Sequence, residues 1–349
     1  MDNKIIGLLG GEGKIGSQVV QLLSKYNKKY LIGTRRKIDC KEKYYVDVNI
    51  KKTLIEFLKR VDILINCIGP SMITSEIVLN AALDLGVDYI DPFGWQERFK
   101  IKKELNSNVI LNAGCVPGLL GILLKKYSKH KPENLIVWSG GREYGTISSI
   151  TDILLSSIYG YGKANKIIKY GHLQSINSND KFLYRNKSKF LDYHKINVSS
   201  NIYMTEEIEE VARIYGLNNV ISYSVWPDET IKNTLLNGCI KLKLNDDNNE
   251  NQKEIIDNTC NQLLSLNNNK KPWYFIEICA INNNLSNNLI IDVNDSSILS
   301  AIILYHMLEQ LSNKYIKPNI YSPHQIANID RVFELMNFRN VNIKLYGEI

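Results

Sequence analysis

The stretch Lys4–Leu23, KIIGLLGGEGKIGSQVVQLL, leaves this chain few local choices. An apolar run of strand length meets glycines at 10, 11, 13 and 16, and an amphipathic helical pattern follows. Gly11, Gly13 and Gly16 fall in the register G-x-G-x-x-G, with Gly10 just ahead. The first glycine permits a sharp turn. The second removes a side chain that would block a pyrophosphate, and the third lets the helix lie close to the sheet. The helix start then points N–H groups at the phosphates. Such a motif alone is weak, but between a strand and a helix it reads as a dinucleotide site, with Glu12, Lys14 and Ile15 in the same loop.

A second strand, Tyr30–Gly33, is followed by Thr34-Arg35-Arg36-Lys37. A chain that binds the unphosphorylated cofactor carries an acid about 20 residues past the glycines, where it holds the ribose 2′-hydroxyl. Here arginines stand in its place, and a guanidinium fork matches a 2′-phosphate. The expected cofactor is NADP(H), with Thr34, Arg35 and Arg36 at its adenosine end.

Strands and helices then alternate. Tyr44–Val48 reads as a strand carrying Asp47, and Leu54, Ile55 and Leu58 have helical spacing. Val61–Cys67 is a buried-type strand running into Ile68-Gly69-Pro70. Ser75–Leu85 is a helix, Val87–Asp91 a strand, and Val109–Leu111 a strand leading into Asn112–Gly118. The alternation predicts an α/β fold with a Rossmann-type doubly wound parallel sheet. Ligands of such sheets sit beyond the carboxyl ends of the strands, so Asp47, Cys67, Ile68, Gly69 and Pro70 join the expected cofactor contacts.

Four pieces, GGEGKIG, DILINCIGP, AALDLGVDYID and NAGCVPGLLGILL, follow one another over about 120 residues in an order that resembles the saccharopine dehydrogenase-like family. The resemblance implies a nicotinamide-dependent enzyme that makes or breaks a secondary amine through an imine. It also implies a second, mixed α/β domain for substrate binding and dimer contacts, and a C-terminal segment that returns to the first domain. On that basis residues 1–118 are the dinucleotide domain, 119–297 the substrate and dimerisation domain, and 298–349 a helical segment packing on the first. In the second half, helices are read at Ser148–Ile158, Glu206–Tyr215, Ser296–Leu311 and Asn328–Met336. Strands are read at Val220–Trp226, Trp273–Ile281 and Leu289–Val293, with a polar surface loop at Asn245–Gln252.

The nicotinamide carries the hydride, so the protein must place the substrate and move one proton. Asp91 and Tyr89, at a strand end, are the candidates for that proton; Asp91 would otherwise cap the turn Pro92-Phe93-Gly94, and Tyr89 would otherwise be a packed aromatic. Cys115 precedes a helix start that would lower a thiol pKa. A cysteine-dependent acylphosphate or semialdehyde reductase is therefore one alternative; a non-catalytic NADP-binding sensor is the other. Arg142, after Gly140-Gly141, is the best carboxylate clamp, with Tyr161 as a weaker substrate contact. Tyr159-x-x-x-Lys163 has the spacing of a short-chain dehydrogenase pair. Gly160 and Gly162 make a poor helix there, at about 1 kcal/mol each against Ala, so the match is discarded.

Composition narrows the partners. The net charge of +7 is spread over lysines such as Lys51-Lys52 and Lys102-Lys103 beside periodic apolar positions, which reads as solvated helix faces and not as a nucleic-acid surface. Six scattered cysteines contain no C-x-x-C, so neither a metal site nor a disulfide framework is expected. Ile298–Leu311 is too short and too polar for a membrane span. A strand starting at Lys4 is expected to leave no room for a signal peptide, which with the cysteines predicts a cytoplasmic protein, and the resemblance implies a role in amino acid metabolism. A small-molecule substrate and, by family analogy, a homodimer complete the expectation.

Overall fold

Short apolar strands separated by helix-length segments pair in parallel, because the chain must cross back before the next strand begins. A computed structural model describes residues 4–347 except 37, 39, 95, 102–103, 178–186, 246–248, 284 and 314–315; Lys37, Lys102 and Lys103 lie outside the described residues. The chain opens with β1 (Ile6–Leu9), α1 (Lys14–Lys25), β2 (Tyr30–Thr34), β3 (Lys43–Tyr45), α2 (Lys51–Leu58), β4 (Ile63–Asn66) and α3 (Ser71–Asp84). Next come β5 (Asp88–Ile90), α4 (Glu97–Lys100), β6 (Val109–Ile110), α5 (Leu119–Ser128), β7 (Asn134–Arg142), α6 (Ile147–Ile158), β8 (Gly162–Ala164), β9 (Lys166–Lys169) and β10 (His172–Ser175). The second half holds α7 (Lys189–His194), β11 (Ser199–Thr205), α8 (Glu206–Tyr215), β12 (Val220–Trp226), α9 (Glu229–Leu244) and α10 (Asn249–Asn267). It ends with β13 (Trp273–Asn282), β14 (Leu285–Val293), α11 (Ser296–Asn313), β15 (Ile320–Tyr321), α12 (Pro323–Ile326), α13 (Ile329–Phe338) and β16 (Asn342–Tyr346).

Two units result, Met1–Leu123 with Ser297–Arg339, and Leu124–Ser296 with Asn340–Ile349. The first is built on a sheet in the order β15-β6-β5-β4-β1-β2-β3. Every pairing in it is parallel. This is the doubly wound topology expected from the alternation, and its order reverses between β1 and β4. Leu9, Leu54, Phe57, Leu64, Val78, Leu79 and Tyr89 belong to a core cluster of this unit. Helix α11 is apolar nearly all round, with Leu299, Ile302, Ile303, Leu304, Met307 and Leu308 fully buried. Its polar residues find local partners. His306 Nδ1 lies 3.2 Å from Glu309, its Nε2 accepts from the Asn328 amide at 2.9 Å, and Arg331 forks onto Glu309 with Nη2 to Oε1 at 2.7 Å. These bonds fasten α13 to α11.

The second unit carries a mixed sheet, β10-β9-β12-β7-β13-β14-β16, with β11 joining β12 and β8 joining β11. Only β7 and β12 run parallel among the described pairs. Helices α6, α9 and α10 share a separate cluster that includes Leu154, Leu235, Leu242 and Leu263. A hairpin forms across Gly171, and the helix Glu206–Tyr215 forms where the sequence places it, capped by Thr205 and stopped by Gly216 at φ 69°. Asn245–Gln252 is not all loop, because α10 begins at Asn249. Residues 298–349 are not one helical segment either: β16 pairs with β14, so Asn340–Ile349 falls in the second unit.

A buried carboxylate organises this second sheet. Glu277, with no solvent exposure, accepts from Ser188 Oγ at 2.6 Å, Asn288 Nδ2 at 2.8 Å and the Lys189 and Phe190 amides at 3.0 and 3.1 Å. It thereby fixes the start of α7 on β13 and β14. Glu277→Ala strands those donors and is expected to lower the unfolding free energy by about 3 kcal/mol, with Glu277→Gln milder. Urea denaturation checks this, and a wild-type midpoint for the alanine variant would remove the capping role.

Candidate cofactor and active site

The turn between β1 and α1 has no room for side chains at two of its glycines. Gly10 takes φ 74°, and a Cβ there would lie 2.6 Å from the Cys67 carbonyl oxygen at the end of β4. The left-handed residue of the turn is thus Gly10, ahead of the motif, and not Gly11 as the spacing suggests. A Cβ on Gly16 would collide with the Gly10 carbonyl, so α1 sits against the turn only because residue 16 is glycine. At Gly13 a Cβ would meet one atom, Gly10 O at 3.2 Å, and otherwise open space. That opening, at the start of α1, fits a pyrophosphate facing the first-turn amides of the helix. Lys14 and Ile15 form the first turn itself. Cys67, Ile68, Gly69 and Pro70 lie beside the turn and lead into α3, so the loops after β1 and β4 meet where the strand order reverses. Burial pushes the Cys67 thiol well above its ordinary pKa.

At the end of β2, one carboxylate, Glu12, pairs with two cations of the protein. Thr34 Oγ1 donates to Glu12 Oε2 at 2.9 Å and accepts from the Arg36 amide at 3.1 Å. Lys43 Nζ stands 3.0 Å from Glu12 Oε1, and Arg36 Nε stands 3.5 Å from Oε2. Hydrogen bonds from Lys43 and Thr34 hold the Glu12 carboxyl below its usual range. Arg35 is exposed at the end of β2. Lys43 escaped the sequence reading. Its only signal was its place on β3, opposite Ile32 of β2. Asp47 caps the turn into α2, accepting from the Asn49 amide at 3.0 Å.

The strand ends of β4 and β5 share one buried network. Asp91, with no solvent exposure, accepts from Tyr89 Oη at 2.6 Å, Ser75 Oγ at 2.8 Å and Asn66 Nδ2 at 3.0 Å. Its other oxygen accepts from the Phe93 amide at 2.9 Å, closing the turn after β5. Asn66 also donates to Tyr89 Oη at 2.9 Å. Burial raises the Asp91 pKa, and the bonds from Tyr89, Phe93, Ser75 and Asn66 oppose that rise. Tyr89 is pushed well above its ordinary value by burial and by Asp91. The geometry shows Asp91 capping the turn after β5 and Tyr89 packed against it, both without solvent exposure. Asn66, at the end of β4, and Ser75 of α3 complete the network.

Other candidates are scattered. Cys115 is 5% exposed, in the turn that the Gly114–Gly118 bridge closes ahead of α5. In the second unit, Arg142 Nη2 donates to Asp228 at 3.2 Å and Nη1 to Asn267 at 3.2 Å. Its guanidinium is thus engaged with its own unit. Tyr161 is buried in place of lying on an open loop. The Tyr159 and Lys163 pair shares no helix, since α6 stops at Ile158 and Lys163 lies in β8. Among the described residues no group of three or more His, Cys, Asp or Glu is placed to hold a metal, and no helix is long and apolar enough to cross a membrane.

Residues 6–113 match the family described as the saccharopine dehydrogenase NADP binding domain. Among solved structures, the apo saccharopine dehydrogenase (L-Glu forming) of Saccharomyces cerevisiae is similar at a TM-score of 0.63 and 12% identity, over 99% of this chain and 100% of that one. At that identity the likeness shows a shared fold. A dihydrodipicolinate reductase from Paenisporosarcina sp. TG-14 follows at a TM-score of 0.46 and 9% identity, covering 93% and 99% of the two chains. An engineered D-amino acid dehydrogenase gives 0.45 and 12%, covering 94% and 96%. No curated protein matches the chain.

The Asp91 network makes a stability prediction. Asp91→Ala leaves Tyr89, Ser75 and Asn66 buried without their shared acceptor, and should cost about 3 kcal/mol or more. Asp91→Asn should cost less, because both hydroxyls can turn to accept from the new amide. Thermal and urea unfolding of the two variants check the order, and a reversed ranking would contradict the network.

Proposed function

From the premise that residues 6–113 form a saccharopine dehydrogenase-like NADP-binding domain, we propose an NADP(H)-dependent oxidoreductase acting on a C–N bond, the imine or secondary amine of an amino-acid-derived substrate. The observation that carries the cofactor half of this reading is the glycine cradle at the strand-order reversal, with Thr34-Arg35-Arg36 at the end of β2. The order of the four sequence motifs supports the C–N half, and so does a fold shared along nearly the whole chain with an enzyme named saccharopine dehydrogenase.

When bound, the nicotinamide supplies or takes the hydride. The chain's own task is to hold it. The opening at Gly13 and the first-turn amides of α1 receive the pyrophosphate, and Arg35 and Arg36 receive the 2′-phosphate. The loop Cys67–Pro70 borders the same crevice. Asn66, Tyr89 and Asp91 keep the strand ends beneath it rigid, which is a positioning role. The cysteine-dependent acylphosphate or semialdehyde reductase is the weaker reading, because Cys115 is buried.

Fluorescence titration of NADPH against NADH tests the cofactor assignment. Wild type should prefer NADPH, and Arg35→Ala should erase about tenfold of that preference, the scale of one charge-assisted contact. Gly13→Ala meets little inside the protein, so it should fold normally and bind both dinucleotides at least about tenfold more weakly. Wild-type affinity in Gly13→Ala would overturn the cradle. Turnover of NADPH with 2-oxo acids and primary amines, but not with acylphosphates or semialdehydes, would then support the C–N assignment, and the opposite pattern would sink it.

A further inference from the structure

The carboxylate at position 12 is out of keeping with its surroundings. It stands in the glycine loop, yet both its oxygens are taken by groups that suit a phosphate. Thr34 Oγ1 at 2.9 Å and Arg36 Nε at 3.5 Å approach Oε2, and Lys43 Nζ at 3.0 Å approaches Oε1. The three donors come from the end of β2 and from β3, its parallel neighbour, the edge at which an adenosine ribose is read in this topology. A hydroxyl, a guanidinium and an ammonium converging on one anion form a phosphate receptor. The protein fills that receptor with its own anion.

We propose that Thr34, Arg36 and Lys43, together with Arg35, are the receptor for the cofactor 2′-phosphate, and that Glu12 is a built-in stand-in for that phosphate which the incoming group must displace. This rests on the cofactor assignment above and adds two residues to it: Lys43 as a phosphate ligand and Glu12 as the residue that sets how strongly NADP(H) is preferred over NAD(H). The physical reason is charge. With the receptor empty, Arg36 and Lys43 would repel each other beside the buried Thr34 hydroxyl, and Glu12 offsets one of their two charges while pairing with both. Lys43 and Thr34 keep Glu12 ionised, so the competing anion persists at neutral pH. A 2′-phosphate carries more charge and more acceptor oxygens than a carboxylate, so it wins the receptor, but only after the Glu12 contacts break. A cofactor with a free 2′-hydroxyl has no group to displace Glu12, and binds with the receptor still closed.

The experiment uses the adenosine halves of the two cofactors, 2′,5′-ADP and 5′-AMP, with the whole dinucleotides alongside, titrated calorimetrically against the full-length chain. Glu12→Gln removes the competing charge at constant shape and should bind 2′,5′-ADP and NADPH about fivefold more tightly, the upper range for one partly exposed ion pair. Its affinity for 5′-AMP and NADH should stay within about twofold. Lys43→Met should bind 2′,5′-ADP about tenfold more weakly, with 5′-AMP unchanged. Glu12→Ser serves as a second variant with the same expected direction, and melting temperatures report on folding. If Glu12→Gln and Glu12→Ser weaken 2′,5′-ADP, then Glu12 builds the receptor and does not compete for it. If Lys43→Met leaves the ratio of 2′,5′-ADP to 5′-AMP unchanged, Lys43 is no ligand. Either result overturns this proposal while leaving the cofactor assignment standing, provided wild type prefers NADPH. A wild type that binds neither dinucleotide removes the assignment and this proposal together.

Discussion

Parallel pairing of β1 with both β2 and β4 is the constraint on which the site depends. It forces the crossover after β1 to one side and the chain after β4 to the other, so the loops diverge above the sheet and leave a crevice between them. The crevice can be narrow only because Gly10 has no side chain: its Cα faces the Cys67 carbonyl at a distance that no Cβ tolerates. Sheet topology chooses the place, and one glycine sets the clearance. Below that line, Asp91 binds Asn66 of β4, Tyr89 of β5 and Ser75 of α3 into one hydrogen-bonded plug. The crevice floor is stiff where the loops above it are glycine-rich.

How much of this was legible follows from the range of the forces involved. Much of the first sheet was readable because β1, β2, β4, β5 and β6 carry buried apolar residues, whereas β3 is only partly buried and the two-residue edge strand β15 had no sequence signal. The C-terminal half of the second unit was harder. Helices α9 and α10 were missed since their sequences are rich in Asn, Lys and Thr, with Gly238 in the middle of α9. Intrinsic propensity does not favour a helix there. What holds α9 is tertiary contact: a Cβ at Gly238 would sit 2.8 Å from the Thr259 side chain of α10, so the glycine that weakens the helix alone is the residue that lets the two helices close. The last strand, β16, was invisible for a related reason. Its residues alternate weakly, and their partner Leu289–Asp292 lies some 50 residues upstream.

At the site, local chemistry was legible and long-range chemistry was not. The glycine loop and the arginines after β2 stand in motifs whose meaning is carried by neighbours in sequence. Asp91 was recognised as important, but its two readings could not be separated until Asn66 and Ser75 were seen to share it. Arg142 looked available because it follows two glycines at a strand end, whereas Asp228 and Asn267, 86 and 125 residues away, already hold it. Tyr161, a weaker substrate candidate in sequence, is buried.

Glu12 joins these two scales. In sequence it is a loop residue of the glycine motif, and an acid so near a phosphate cradle looks unfavourable. In space it is the counter-ion of a strand two elements away. A receptor for a dianion must be positive, yet a folded protein without ligand is destabilised by unpaired like charges, more for the largely buried Lys43 than for the exposed Arg36. On the proposal made above, an internal anion eases the conflict at the cost of some affinity for the ligand, and the ion pairs of Glu12 with Arg36 and Lys43 are the observation behind it. The same reasoning explains why the acid sits on the loop and not at the end of β2. An acid at the strand end would accept the ribose hydroxyl of the unphosphorylated cofactor directly. From the loop it holds the basic residues in place and leaves the strand end to Thr34 and the arginines.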